Sequence, residues 1–144
     1  MPRTPLLLAL AAASGIATGA ASAQELPSAQ TPSHNIFCLA SPPGPGQPAA
    51  NLRCDIMQKS TPSPRPPANC PLSWGDAFGL DPTGQGYLVC HGDTTRDPTA
   101  PVIPYGSQWR PLGLFVCTSQ TTGLTCVNSQ GHGFSIARAG QRVF

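Results

Sequence analysis

Six cysteines in a chain of 144 residues constrain the fold more than any other feature of this sequence. They are Cys38, Cys54, Cys70, Cys90, Cys117 and Cys126. An even number of cysteines in a short chain is typical of a disulfide framework formed in an oxidising compartment. Because the chain contains no Cys-x-x-Cys pair, the spacing favours neither a zinc ribbon nor a thioredoxin-like motif. We therefore predict a fold that is held together by three disulfides.

The first residues are typical of a secretory signal peptide. Arg3 is followed by an apolar run over residues 6–13 and then by Ala21-Ser22-Ala23, a small-residue pattern that predicts cleavage after Ala23. The apolar run is too short and too interrupted to favour a membrane-spanning helix. We expect a bacterial protein that is periplasmic or secreted, without a transmembrane segment in the mature chain. The predicted organisation is a signal peptide at residues 1–23, a flexible lead-in at 24–33 and one disulfide-rich β domain at 34–144.

Charged residues are sparse and nearly balanced. They make up 10% of the chain, and the formal net charge is +2. A nucleic-acid surface needs clustered Lys and Arg, and the sequence has no such cluster, so we expect no nucleic-acid partner. No phosphate-binding loop, dinucleotide fingerprint or dense set of metal ligands occurs, so we expect neither a cofactor nor a metal. We also expect a monomer.

Eighteen prolines and fifteen glycines divide the chain into short segments. Pro-rich loops at residues 42–50, 60–71 and 97–104 exclude long helices, and only residues 72–80 are predicted to hold a helical turn. Short runs typical of strands lie at 35–39, 52–57, 87–90, 114–118, 124–128 and 134–137, and residues 143–144 can close a sheet edge. The sequence therefore predicts an all-β fold, a small disulfide-stapled sandwich or partly open barrel built from two hairpin-like units.

Two parts of the chain resemble each other. The segments NIFC and NLRCDI recur later as GLFVC and GLTCVN, each with one cysteine in an outgoing strand and one in the return strand. Residues 120–123 would make the second turn, with Gly123 at positive φ. Opposed cysteines on paired strands lie near disulfide distance. Among the fifteen possible pairings we therefore predict Cys38–Cys54, Cys70–Cys90 and Cys117–Cys126.

Alternation along these strands predicts which side chains enter the core. Leu52, Cys54 and Ile56 are expected to face inward, whereas Arg53 and Asp55 are expected to face outward. In the second hairpin, the residues expected to share the inner face are Phe115, Cys117, Leu124 and Cys126. The four aromatic residues Trp74, Tyr87, Tyr105 and Trp109 fit either a ligand surface or the core, and we favour the core.

The stretch LVCHGDT, residues 88–94, places a Cys, a His and an Asp close together and so raises the question of a reactive site. If Cys90 is bonded to Cys70, its sulfur is neither a nucleophile nor a metal ligand. The residues from His91 onward are then typical of a turn that leaves a strand, with Gly92 providing backbone freedom and Asp93 accepting backbone hydrogen bonds. We favour the turn.

Candidate catalytic residues are few, since no G-x-S-x-G nucleophile motif occurs. His91, Asp93 and His132 are the candidates for an acid–base or metal site, and they would have to converge within about 3–4 Å. Candidate binding residues are Tyr105, His132 and Phe134, which lie at or next to predicted turns. For the segment Gly131-His132-Gly133-Phe134 we favour a hairpin turn that enters the last strand.

The cysteine spacing and several short motifs together resemble a known family. The motifs are Asn35-Ile36-Phe37-Cys38, Leu52-Arg53-Cys54-Asp55-Ile56, Trp74-Gly75, Cys90-His91-Gly92-Asp93-Thr94, Tyr105-Gly106, Gly123-Leu124-Thr125-Cys126-Val127-Asn128, Gly131-His132-Gly133-Phe134 and Arg138. They resemble an uncharacterised family of small exported bacterial six-cysteine domains of unknown function, over about residues 33–144. The resemblance implies export and disulfides but no reaction.

These observations favour an exported module without catalytic activity that binds an envelope protein or a glycan. One alternative is a small hydrolase or metal-dependent enzyme that uses His91, Asp93 and His132. Another alternative is an inhibitor of a secreted enzyme, in which a stapled rigid loop would be preorganised for binding.

Overall fold

The structure is a computed structural model that describes Met1 and residues 26–144. The predicted signal peptide and its cleavage site therefore lie outside the described residues, apart from Met1. The strands are β1 (Ser28–Gln30), β2 (Ile36–Ser41), β3 (Asn51–Ile56), β4 (Ala77–Leu80), β5 (Tyr87–Leu88), β6 (Gln108–Trp109), β7 (Phe115–Gln120), β8 (Gly123–Asn128), β9 (Gly133–Ala137) and β10 (Gly140–Val143). One short 3-10 turn covers Pro111–Gly113. Among the described residues, no helix is long and apolar enough to cross a membrane.

Two antiparallel sheets of five strands form the domain. Strands β1 to β5 make one sheet and strands β6 to β10 make the other, and within each sheet the strands are neighbours in chain order. Buried residues of both sheets form one core, and the Phe78 and Phe134 rings meet across it with centroids 6.0 Å apart. The predicted all-β sandwich is therefore confirmed, and neither sheet closes into a barrel.

The two sheets are built to the same register. Directly paired positions across the first sheet are Ala29, Cys38, Cys54, Phe78 and Leu88. The equivalent row across the second sheet is Trp109, Cys117, Cys126, Phe134 and Val143. In both rows a disulfide links the second and third strands, and a phenylalanine stands on the fourth. The internal resemblance of two hairpins thus extends to two complete five-strand units.

The three disulfides join the same three pairs that the sequence analysis predicts. Cys38–Cys54 and Cys117–Cys126 link directly opposed residues of neighbouring strands, with Cα atoms 4.1 and 4.0 Å apart. All four of these cysteines are buried in the core. Cys70–Cys90 instead joins the Pro-rich connector to the segment after β5, and Cys90 is exposed. Two bonds therefore brace the sheets from inside, and one ties a surface connector down.

Residues 72–80 hold no helical turn, contrary to the prediction. Ala77–Leu80 is strand β4, which lies between β3 and β5 and has all four residues buried. The Tyr87 ring of β5 packs directly over Gly79, where an added Cβ would stand 2.3 Å from the ring. Gly79 is therefore a site of close strand packing and not the end of a helix.

The predicted lead-in is also corrected, because residues 28–30 belong to the first sheet. Strand β1 pairs with β2, and the main chain of Gln30 bonds to Pro101 and Ile103 on its other side. The Gln30 side chain is buried and donates hydrogen bonds to the carbonyls of Pro98 and Ala100. The Pro-rich segment that follows Asp97 thus covers this edge of the sheet.

We expect mild reduction to open Cys70–Cys90 before the other two disulfides. Cys90 is an exposed residue that an external thiolate can approach, whereas the other two bonds are enclosed by the core. Stepwise treatment with a dithiol, followed by alkylation and peptide mass spectrometry, measures the order. Labelling of Cys38, Cys54, Cys117 or Cys126 before Cys70 and Cys90 would contradict this expectation.

Candidate functional site

His91 lies at the start of the loop that follows β5 and is held there by its main chain and its side chain. Its backbone N–H and C=O pair with those of Ser73 at 3.2 and 3.0 Å. Its Nε2 stands 2.9 Å from Asp76 Oδ1, and its Nδ1 stands 2.6 Å from the backbone oxygen of Asp93. A carbonyl and a carboxylate both accept, so this arrangement favours the protonated imidazole, in which both ring nitrogens donate. His91 is thus a bonded structural group.

Arg53 connects this loop to the outer face of the first sheet. It meets Asp55 through Nε and Nη2, at 2.8 and 3.0 Å from the two carboxylate oxygens. It also donates from Nη1 to the carboxylate of Asp93 at 2.7 Å and from Nη2 to the Asp93 backbone oxygen. We call Arg53, Asp55, Asp76, His91 and Asp93 the charged network.

Asp55 faces outward from its strand, as predicted, but it is buried. Its relative exposure is 2%, because residues 93–95 cover it. The Thr95 N–H donates to Asp55 Oδ2 at 2.9 Å, and the Thr95 hydroxyl donates to the Phe37 carbonyl at 2.8 Å. The stretch LVCHGDT is therefore the beginning of a loop that is fastened over the sheet, as the turn interpretation proposes.

The charged network shifts the pKa values of His91 and Asp93 toward their charged forms. Burial alone would lower the pKa of His91, but hydrogen bonds to Asp76 and to the Asp93 carbonyl, with the charge of Asp76, raise it above 6.5. The hydrogen bond and charge of Arg53 lower the pKa of Asp93. Every strong donor of the network faces an acceptor, which favours a structural role over acid–base chemistry.

His132 does not join His91 and Asp93. Asp76, the partner of His91, immediately precedes β4. His132 is bonded through its backbone N–H to the Asn128 side chain, which in turn donates to the backbone oxygens of Asp81 and Gly84 beyond the other end of β4. Four residues of strand, roughly 13 Å, separate these ends. The three candidate catalytic residues thus form no common site.

The candidate binding residues have different environments. Tyr105 is 46% exposed, whereas Phe134 is 0% exposed and packs in the core against Phe78. Phe134 was therefore wrongly assigned to a binding surface, because it is the second residue of β9 and faces inward. His132 is half-buried in the β8–β9 loop. Among the described residues, no group of three or more His, Cys, Asp or Glu is placed to hold a metal ion.

A cavity of about 330 Å³ opens at the end of the sandwich where loops of both sheets meet. We call it the polar cleft. The residues that line it include His34, Asn35, Gln58, Tyr105, Thr121 and Arg138. They come from the β1–β2 turn, the end of β3, the turn before β6, the β7–β8 turn and the end of β9. The cleft therefore depends on both sheets being correctly placed.

Tyr105 stands at the tip of a firmly bonded turn on the rim of the polar cleft. Ser107 N–H bonds to the Pro104 carbonyl, and Gly106 has φ of +82°, as a type II turn requires. Gly106 and Ser107 both bond to the main chain of Ser119 in β7. The turn is thus fixed to the second sheet, and its aromatic ring projects from a rigid base.

Polar groups inside the cleft are held in place by hydrogen bonds. The Asn35 amide bonds to both the backbone N–H and the backbone oxygen of Gln58. Arg138 Nη2 donates to the Gln58 side-chain oxygen. His34 has a left-handed backbone with φ of 52°, and its Nδ1 lies 2.7 Å from Gln30 Oε1. The cleft thus presents an amide, a guanidinium and an imidazole in defined positions.

The sequence analysis did not identify most residues of the charged network and of the polar cleft as site residues. Arg53 and Asp55 were predicted to share the outer face of β3, and their two-residue spacing was the signal that they pair. Gln58 and His34 carry no comparable signal, because their neighbours in the cleft are distant in sequence. The sequence analysis named Arg138 only among the residues that carry the family resemblance.

We expect Arg53→Met to lower the free energy of unfolding by about 3 kcal/mol, because it leaves the buried Asp55 carboxylate without its cation. Asp93→Asn should cost less than about 1 kcal/mol, since the Asp93 side chain is 80% exposed. Urea unfolding of the two variants measures the difference. Equal losses for both variants would contradict a buried Arg53–Asp55 pair.

We expect the charged His91 to make stability dependent on pH. Because the pKa of His91 is raised in the folded state, its contribution is complete below pH 6.5 and is lost as the pH rises through the folded value. Urea unfolding from below pH 6.5 to about pH 9 should show this loss in the wild type and not in His91→Gln. His132→Gln is the matched control and should keep the wild-type pH dependence, since it retains His91. An identical pH dependence in His91→Gln and wild type would contradict the assignment.

Comparison with known proteins concerns the whole chain. Residues 5–144 match a family of unknown function (DUF6636). No curated protein and no solved structure matches the chain. The resemblance to an uncharacterised family is confirmed, while bacterial origin and export stay predictions. This chain belongs to the DUF6636 family of unknown function.

Proposed function

We propose that this chain is an exported module without catalytic activity that binds a glycan of the bacterial envelope in the polar cleft. The observation that carries the proposal is the combination of an exposed tyrosine on a rigid turn with fixed polar side chains around one cavity. That combination lies in Tyr105, Gln58 and Arg138. The proposed organisation is a signal peptide at residues 1–23 and a mature binding domain thereafter.

Sugar recognition suits these side chains chemically. The C–H face of a pyranose ring packs on an aromatic ring, and its hydroxyl groups pair with amides and guanidinium groups. Tyr105 offers the aromatic face, and the Gln58 and Arg138 side chains offer acceptors and donors. A cavity of about 330 Å³ is within the size of small-molecule sites.

The backbone of His34 supports a binding role for this end of the domain. A histidine in the left-handed region is strained, and such strain persists where the surroundings enforce it, often at ligand sites. The contact with Gln30 holds the ring on the rim of the cleft. The strained turn therefore presents a polar ring instead of relaxing to an extended backbone.

The three disulfides support a periplasmic or secreted location. Such bonds persist in oxidising compartments and are rare in the reducing cytosol. The predicted signal peptide supports the same location. Mass spectrometry of the protein recovered from outside the cytoplasm would test cleavage after Ala23 directly.

We expect oligosaccharides to bind at the polar cleft. The probes are tetramers of N-acetylglucosamine, glucose and galacturonic acid, added to the isotope-labelled protein with its disulfides formed. At least one should change the amide NMR shifts of residues 34–35, 105–107 and 120–123. Tyr105→Ala should then weaken its binding by at least about fivefold, because the stacking face is lost.

Tyr87→Ala is the matched control, since Tyr87 is a comparably exposed tyrosine on the outer face of the first sheet, away from the cleft. It should change the affinity by less than about twofold. Absence of shift changes at the cleft with all three probes would overturn the proposed function. So would binding that Tyr87→Ala weakens more than Tyr105→Ala does.

A further inference from the structure

We infer that the polar cleft continues into a second, positively charged groove and that the two together bind an anionic oligosaccharide. This inference rests on the proposed function and adds the charge and extent of the ligand. The second groove has a volume of about 680 Å³. We call it the adjoining groove. The residues that line it include Lys59, Ser63, Trp74 and Asp76.

The cleft and the adjoining groove are contiguous. Both are lined by Met57, Gln58 and Arg138, so the Gln58–Arg138 contact forms a low ridge between them. Arg138 therefore borders both cavities. A ligand of several sugar rings that occupied the cleft would reach the groove by passing over this ridge.

Two cations at this surface lack a carboxylate partner among the described residues. Lys59 Nζ donates to the Thr61 carbonyl and the Ser63 hydroxyl, at 3.2 and 2.8 Å. Arg138 donates to the neutral oxygen of Gln58. Arg53, in contrast, is neutralised by Asp55 and Asp93. Lys59 and Arg138 thus keep their charge available for a ligand.

The one carboxylate that lines the adjoining groove is already paired. Asp76 Oδ1 bonds to Nε2 of His91, whose charge offsets that of Asp76. Other charged groups near this pair are Arg53 and Asp93, which bond to each other. The groove therefore presents a net positive charge from Lys59 and Arg138, and an anionic ligand is favoured over a neutral one.

Trp74 adds an aromatic wall to the adjoining groove. Its Nε1–H is buried and has no hydrogen-bond partner among the described residues. Because this nitrogen is covered by protein atoms, the indole contributes its ring and not its N–H to the groove. An aromatic surface on each side of the ridge, Tyr105 and Trp74, fits a chain of sugar rings better than a single small anion.

The decisive comparison uses two ligands that differ only in charge. Tetragalacturonate carries a carboxylate on each ring, and its methyl ester carries none. Calorimetry with the disulfide-bonded protein should show the acid binding at least about tenfold more tightly than the ester in about 50 mM NaCl. The difference should shrink in about 300 mM NaCl, because salt screens the charges.

Variants locate the charge effect. Lys59→Gln should weaken binding of the acid by at least about fivefold and of the ester by less than about twofold, whereas Arg138→Gln should weaken both, and the acid more, because Arg138 also donates to sugar hydroxyls. Arg110→Gln is the matched control, because Arg110 is also bonded to a glutamine side chain, Gln108, but lies outside both cavities. It should leave the affinity for the acid within about twofold of the wild type.

The outcomes separate this inference from the proposed function. Equal affinity for acid and ester, with shift changes still at the cleft, would overturn the anionic ligand and leave glycan binding standing. Failure of every saccharide to bind would overturn both. Tighter binding of tetraglutamate than of tetragalacturonate would overturn the assignment to a glycan in favour of an acidic peptide.

Discussion

A covalent bond between directly opposed strands fixes the centre of each sheet. A slip of one residue in strand pairing would turn every inward side chain outward, and Cys38–Cys54 and Cys117–Cys126 prevent such a slip in the two sheets. Aromatic residues are only 6% of the chain, so the core has few large side chains with which to select a register by packing alone. Small domains with limited cores commonly depend on disulfides in this way. The polar cleft also depends on these two disulfides, because its loops come from both sheets.

The fold was predictable where a short sequence pattern indicated which strands pair with each other. Alternation and a turn glycine marked the β7–β8 hairpin, and the repeated cysteine pattern carried the same interpretation to β2 and β3. Strand β4 was missed because a strand buried on both faces, as Ala77–Leu80 is, shows no alternation. Strand β1 was missed because Ser28–Gln30 has only three residues and no strand pattern, although it pairs with β2.

The candidate site was less predictable, since it is assembled from loops that only the folded chain brings together. The loop interpretation of His91 and Asp93 was supported by the expected disulfide at Cys90. The burial of Asp55 was not foreseeable, because residues forty positions later cover it. Tyr105 was identified from its turn, whereas Phe134 was misassigned because the glycine that precedes it suggested a turn tip. Glycine at position 133 instead allows close strand packing, since an added Cβ would collide with the Cys126 carbonyl.

The order of the disulfides along the chain has a consequence for biosynthesis. The first, third and fifth cysteines are each bonded to the next one in sequence, so no bond spans another. If the polypeptide emerges from a translocation pore amino end first, an oxidase that joins thiols as they appear produces the native connectivity directly. In that order of emergence, both partner thiols of one bond precede the thiols of the next, so sequential oxidation needs no rearrangement. The linear order of the cysteines thus favours native pairing in a chain that is oxidised from its amino end.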